Sequence, residues 1–262
     1  MEALYRIEGD QVLTGPLAAG PWDPTVQHGA APASLVAWAA EQVPLERPMQ
    51  VSRITIDLMR PVPVGPLEMK TEILRQGRKI QLIAIRLFAG AVEVVRASVL
   101  KVRVAEFKHS ETAREEPFDL PAPESGRRPE SSAKNHSGFL GRVSARQVKG
   151  DLAKPGPAAA WFSIESPIID GVPTSALMRA AMAADFCNGV SAVVDFERWT
   201  FINADSTLSL IRMPIGDWIL VDARTRAGAS GAGIACARLA DRQGYFACAA
   251  QTILLEPRRE LR

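Results

Sequence analysis

The chain has 262 residues, 47% of them hydrophobic and 23% charged, with a formal net charge of +2, enough for one large or two small globular domains. So slight a charge, without a dense Lys/Arg run interleaved with aromatics, argues against a nucleic-acid partner, and no apolar stretch is long and unbroken enough to span a bilayer. The start, Met1 to Arg6, lacks a basic segment followed by an apolar run, and Cys187, Cys236 and Cys248 form no C-x-x-C pair; the expectation is a cytoplasmic protein with reduced thiols, no metal site and no cofactor.

In chain order, Leu4–Ile7 and Val12–Thr14 read as short strands joined at Gly9-Asp10. A Gly- and Pro-rich loop with Trp22 leads to His28-Gly29-Ala30-Ala31, which opens a helix of small residues ended by Pro44 and Pro48. Strands follow over Ser52–Met59, Leu67–Leu74, Ile80–Phe88 and Ala91–Val104, the second alternating cleanly between apolar and charged faces. From Phe107 to about Pro157 the chain is rich in Pro, Glu, Ser, Arg and Lys and reads as a surface crossover. The pattern then restarts with a strand at Ala158–Ile164 and a helix from Ser175 to Gly189, entered through Pro173 and Thr174 with Thr174 as N-cap. Four further strands follow: Arg198–Leu210, Trp218–Thr225, Gly231–Leu239 and Gly244–Leu255.

The second helix carries an anomaly. Met178, Ala181, Met182 and Asp185 share one apolar face, and a carboxylate near a helix C-terminus opposes the macrodipole at a cost of about 0.3–1 kcal/mol. Asp185 is therefore a candidate working carboxylate at the edge of a pocket.

The two halves overlay with a shift of 151, which puts Gly65 on Gly216, Arg75 on Arg226, Gly77 on Gly228 and Ala84 on Ala235; three extra residues in the last hairpin bring Gly90 onto Gly244 and Ala97 onto Gln251. The reading is an α+β tandem, or double, hot-dog: each unit wraps an antiparallel sheet around one helix, and the sheets join edge to edge into one continuous sheet around two central helices. The units are 1–106 and 158–262, with 107–157 as the crossover. Polar groups concentrate in the second unit.

The segments His28-Gly29-Ala30-Ala31, Arg60-Pro61-Val62-Pro63, Ala184-Asp185-Phe186, Asn203–Thr207, Arg212–Trp218 and Asp241–Gln251, in this order and spacing, resemble the TesB-like type II acyl-CoA thioesterases. The resemblance covers most of the chain outside the crossover. It implies a thioester hydrolase acting on acyl-CoA, in which an aspartate, a strand hydroxyl and a glutamine hold the attacking water. Carried over, the aspartate is Asp185 and the glutamine Gln251. The hydroxyl position falls on Asn203, a departure from the pattern, and Thr207, four residues on and by alternation on the same face, is the substitute. Gln251 either orients that water or bonds a neighbouring backbone group. His28 either lines the substrate pocket or caps the first helix, and Gly29 permits close backbone approach. Asp205 reads as a turn acid and Asp241–Gly244 as a hairpin turn. Two other classes stay open: a hot-dog enoyl-CoA hydratase or dehydratase, which needs a catalytic His–Asp pair, and a non-catalytic acyl-CoA-binding protein. A homodimer or higher homo-oligomer is expected.

Overall fold

The computed structural model describes residues 2–106, 118–129 and 138–258. Strands β1 (Tyr5–Glu8) and β2 (Gln11–Thr14) precede helix α1 (Ala30–Gln42), and β3 (Met49–Leu58), β4 (Pro66–Gln76), β5 (Ile80–Ala89) and β6 (Val92–Arg103) complete the first half. The second half runs β7 (Val143–Lys149), β8 (Ala158–Ile164), α2 (Ala176–Ala184), the short α3 (Cys187–Val190), β9 (Trp199–Asn203), β10 (Asp205–Leu210), β11 (Ile219–Ala227), β12 (Ala232–Asp241) and β13 (Gly244–Pro257).

The strands of the described residues lie in one 13-stranded sheet, in the order β1-β2-β4-β5-β6-β3-β10-β13-β12-β11-β8-β7, with β9 also paired to β13. The halves join where β3 meets β10 antiparallel, Thr55 opposite Thr207, so each half covers an edge the other would leave open. This is the double hot-dog expected from the sequence.

Ten of the thirteen residues of α1 are buried, as befits a helix apolar all round. Its many alanines let the sheet approach closely. Helices α1 and α2 lie antiparallel: Ser175 at the start of α2 donates to Glu41 near the end of α1 at 2.7 Å, while Gly29 at the start of α1 abuts Asp185 at the end of α2. The cap of α2 is Ser175, which accepts from the Met178 N–H at 3.1 Å, one residue beyond the expected Thr174. The helix also stops earlier than expected, at Ala184, with α3 as a separate turn.

The internal repeat is present, but its register differs from the one expected. An offset of 152, the difference between Thr55 and Thr207, carries the pair Thr55–Ser98 onto Thr207–Ala250 and Ile73–Ile83 onto Thr225–Ala235. The same offset places the bulge after Leu87 onto the bulge after Leu239. No insertion is needed in the last hairpin, because both turns span two residues. Glycines at nearby turn positions suggest 151 before the last hairpin, a slip of one that reverses the face of each strand residue, and 154 after it, a slip of two that keeps the face but moves the partner. Gln251 therefore corresponds to buried Val99, not Ala97, and Ser206 to buried Ile54. In the first half these positions are filled with core hydrocarbon.

The stretch read as a crossover contributes more order than expected. Residues 107–117 and 130–137 fall outside the described residues, but β7 is a regular strand along β8. Phe118 and Leu120 pack on Trp161 and Tyr245, and the Trp161 indole donates to the Pro121 carbonyl at 2.8 Å. Strand β8 is thereby covered on both faces, which accounts for its unbroken apolar run, Ala158 to Phe162.

Asp241 at the β12–β13 turn is structural. Its carboxylate, fully buried, accepts from Arg212 Nη2 at 2.8 Å, the Ile215 N–H at 2.9 Å and the Gln243 N–H at 2.8 Å. Burial alone would raise its pKa; the Arg212 guanidinium and the two N–H groups outweigh it and hold the pKa below the ordinary value of 3.8. A depressed folded-state pKa contributes stability that is present above the unfolded value and lost as pH falls through the folded one. Asp241→Ala is thus expected to destabilise by about 3 kcal/mol in urea titrations at neutral pH. The gap between wild type and variant should narrow only below the ordinary carboxylate pKa.

Candidate active site

Asp185 sits at the C-cap of α2, with its side chain only 6% exposed. Its tolerance there has a geometric cause. The start of the antiparallel α1 lies against it, so the positive end of one helix dipole offsets the negative end of the other. Approach is close because Gly29 has no side chain: a Cβ there would lie 2.6 Å from Asp185 Oδ1 and 3.0 Å from Oδ2. This is the close approach expected for Gly29.

Three side chains from different elements meet this carboxylate. Asn203, the last residue of β9, donates from Nδ2 to Oδ1 at 2.8 Å. Gln251, 1% exposed on β13, donates from Nε2 to the Asp185 carbonyl at 3.1 Å and approaches Oδ1 at 3.5 Å; its Oε1 accepts from the Asn188 N–H at 3.1 Å. Gln251 thus clamps the α2–α3 junction by its backbone, as one of the two sequence readings has it, while pointing at the same carboxylate. His28 brings Nδ1 to within 3.2 Å of Oδ2. The polar groups come from both halves of the chain.

Thr207 does not join them, contrary to expectation. Asn203 lies opposite Ile253 and Thr207 opposite Ala250, so four steps along β9–β10 face three along β13. This is a β-bulge, and it turns the following residues to the other face. Asp205 closes it by accepting the Thr252 N–H at 2.6 Å, so the acid shapes the strand. Beyond the bulge, Thr207 points outward and donates to Thr55 Oγ1 at 3.2 Å. The inward hydroxyl is Ser206, buried at 8% and paired with core residue Ile56. One step along the register of Thr207–Ala250, it stands opposite Gln251, with side chains on the same face. Sequence reading missed Ser206 because simple alternation cannot reveal a bulge, although the break at Asn203-Ala204-Asp205 was its only sign.

The wall around His28 is aromatic. Its ring stacks on Phe139 at 4.9 Å and lies 5.4 Å from Phe186, and Phe186 stacks in turn on Phe162 at 4.3 Å. Phe139 belongs to the supposed crossover and was not anticipated as a site residue. Cys187 lies next to this site, but burial, aided by Asp185, pushes its thiol far above the ordinary range, so it is no thiolate nucleophile. A groove of about 830 Å³ lies on the outer face of the sheet, lined by Thr207, Ser209, Cys236, Arg238 and Cys248 among others. It shares none of the buried groups that converge on Asp185. Among the described residues no cluster of His, Cys, Asp and Glu could hold a metal, and no helix is long and apolar enough to cross a membrane.

Comparison with known proteins bears on the family and the fold. Residues 18–102 match the model of the acyl-CoA thioesterase N-terminal domain and residues 114–255 that of the acyl-CoA thioesterase C-terminal domain. No curated protein matches the sequence. Among solved structures, a conserved hot-dog protein from Alicyclobacillus acidocaldarius is similar with a TM-score of 0.76 at 16% identity, over 97% of this chain and 96% of that one. A proposed thioesterase from Novosphingobium aromaticivorans gives 0.74 at 23% identity, over 97% and 98%. An acyl-CoA thioesterase II, TesB2, from Mycobacterium marinum gives 0.65 at 14%, over 94% and 98%. At these identities the structures share the fold.

Proposed function

The chain belongs to the acyl-CoA thioesterase family, and from that premise we propose that a water molecule held beside Asp185 hydrolyses the thioester of an acyl-CoA. The observation that carries this reading is the buried Asp185 carboxylate, met by the Asn203 and Gln251 amides at 2.8 and 3.5 Å. The water oxygen forms the new bond to the thioester carbon while its proton passes to the carboxylate. The Asn203 and Gln251 amides fix the carboxylate, and the Ser206 hydroxyl orients the water from the neighbouring strand. The positive end of α1 stabilises the developing oxyanion. When the carbon–sulfur bond breaks, the CoA thiolate takes its electron pair and recovers the proton from Asp185. His28, Gly29 and Phe139 wall the substrate side.

The 3.2 Å contact between His28 and Asp185 is the observation that favours a second reading, an enoyl-CoA hydratase or dehydratase. The two separate by product: free CoA thiol in the first, 3-hydroxyacyl-CoA with the thioester intact in the second.

The test is thiol release from a panel of acyl-CoAs of increasing chain length, with two strand variants alongside. Ser206→Ala is expected to lower kcat at least about ten-fold, and Thr207→Ala to leave it unchanged. The reverse pattern would overturn the assignment of the inner face.

A further inference from the structure

We propose that His28 is a positioning residue for Asp185, its Nδ1–H holding Oδ2 so that the other lone pair of that oxygen faces the substrate; this rests on the hydrolase reading above. An imidazole nitrogen has one in-plane position, which holds either a proton or a lone pair. Two groups claim that position on His28: the Ala30 N–H, 3.1 Å away, which needs a lone pair, and Asp185 Oδ2, 3.2 Å away, which needs a proton. A bare nitrogen would set two lone pairs against each other beside an acid that is only 6% exposed, an arrangement that burial makes costly. A proton on Nδ1 gives up the bond from the Ala30 N–H, but the bond to a carboxylate is charge-assisted and roughly twice as strong as that neutral one, so the balance puts the proton on Nδ1, directed at Asp185.

The ring cannot easily turn away from this task. Phe139 stacks on it at 4.9 Å with 24° between planes, and Phe186 closes another side at 5.4 Å. Oδ1 is already engaged by Asn203 at 2.8 Å. With Oδ1 tied to β9 and Oδ2 to the start of α1, the carboxylate plane is fixed from both halves of the chain. Neither half alone would orient it.

Two substitutions separate this role from capping of α1 and from mere contact with substrate. His28→Phe keeps the aromatic stack and removes the nitrogen. His28→Asn places an amide near the Nδ1 position, able to donate to Asp185. The expected result is a kcat about 10²-fold lower in His28→Phe, with KM and melting temperature close to wild type, and recovery to within about ten-fold of wild type in His28→Asn. A downfield imidazole N–H proton resonance should be present in wild type, absent in His28→Phe and shifted in Asp185→Asn. The proposal is overturned if His28→Phe raises KM at constant kcat, if its main effect is lost thermal stability, if His28→Asn is as impaired as His28→Phe, or if the N–H resonance ignores Asp185→Asn. An acyl-CoA thioesterase activity that survives Asp185→Asn would instead sink the hydrolase mechanism. Unimpaired His28 variants beside an inactive Asp185→Asn would sink only the role of His28.

Discussion

Asp185→Asn is expected to lower kcat for acyl-CoA hydrolysis by about 10²–10⁴-fold, the range for loss of a general base, with KM little changed. Asparagine keeps the size and planarity of the side chain and an oxygen that can accept from Asn203, so the 2.8 Å contact at Oδ1 survives. What disappears is the ability to take a proton from water. The stability effect should run the other way. A carboxylate at the C-cap of α2 opposes that helix's dipole, and the start of α1 offsets the opposition only in part. Neutralising it is expected to leave unfolding free energy unchanged or to raise it by up to about 1 kcal/mol. Thiol-release kinetics and urea unfolding on the same preparation check both halves. A variant that lost stability and activity together would mean that Asp185 serves chiefly to hold the helix end.

How far this site was legible follows from the range of the interactions that make it. The two small-residue helices and alternating strands are local patterns, and they mark out the architecture without help. Asp185 was visible because it breaks a local rule, and Gln251 because it interrupts an apolar strand. Both arrive at one place, within 3.5 Å of each other. The hydroxyl was misplaced because the bulge between Asn203 and Thr207 depends on pairing with β13, which only the folded sheet specifies. A similar ambiguity displaced the internal repeat by one residue before the last hairpin and by two after it, since glycine-rich turns tolerate slips that strand pairing does not. Phe139 was hidden for another reason. It is one of three scattered aromatics in a polar segment, and its role arises from contact with a histidine more than a hundred residues earlier. The partner that relieves the dipole penalty on Asp185 was likewise invisible, because it is the start of a helix from the other half.

Gly29→Ala is expected to abolish most activity, by about 10²-fold or more, while the fold persists. The position has φ of −55° and ψ of −30°, ordinary helical values that alanine adopts as readily as glycine, so the backbone supplies no penalty. The cost lies entirely in the added methyl group. Its carbon would stand 2.6 Å from Oδ1, 3.0 Å from Oδ2 and 3.1 Å from Cγ of Asp185, closer than non-bonded contact allows. The carboxylate must move, and its oxygens are tied to Asn203 at 2.8 Å and to His28 at 3.2 Å, so a shift breaks one or both. Gly189→Ala is the matched control, since a Cβ there meets nothing within 4 Å and activity should stay near wild type. Thermal unfolding within a few degrees of wild type for both variants, with kcat lost in only the first, is the expected pattern. Full activity in Gly29→Ala would mean that the placement of Asp185 against the start of α1 has no bearing on turnover, because the methyl group cannot be accommodated with that carboxylate left in place.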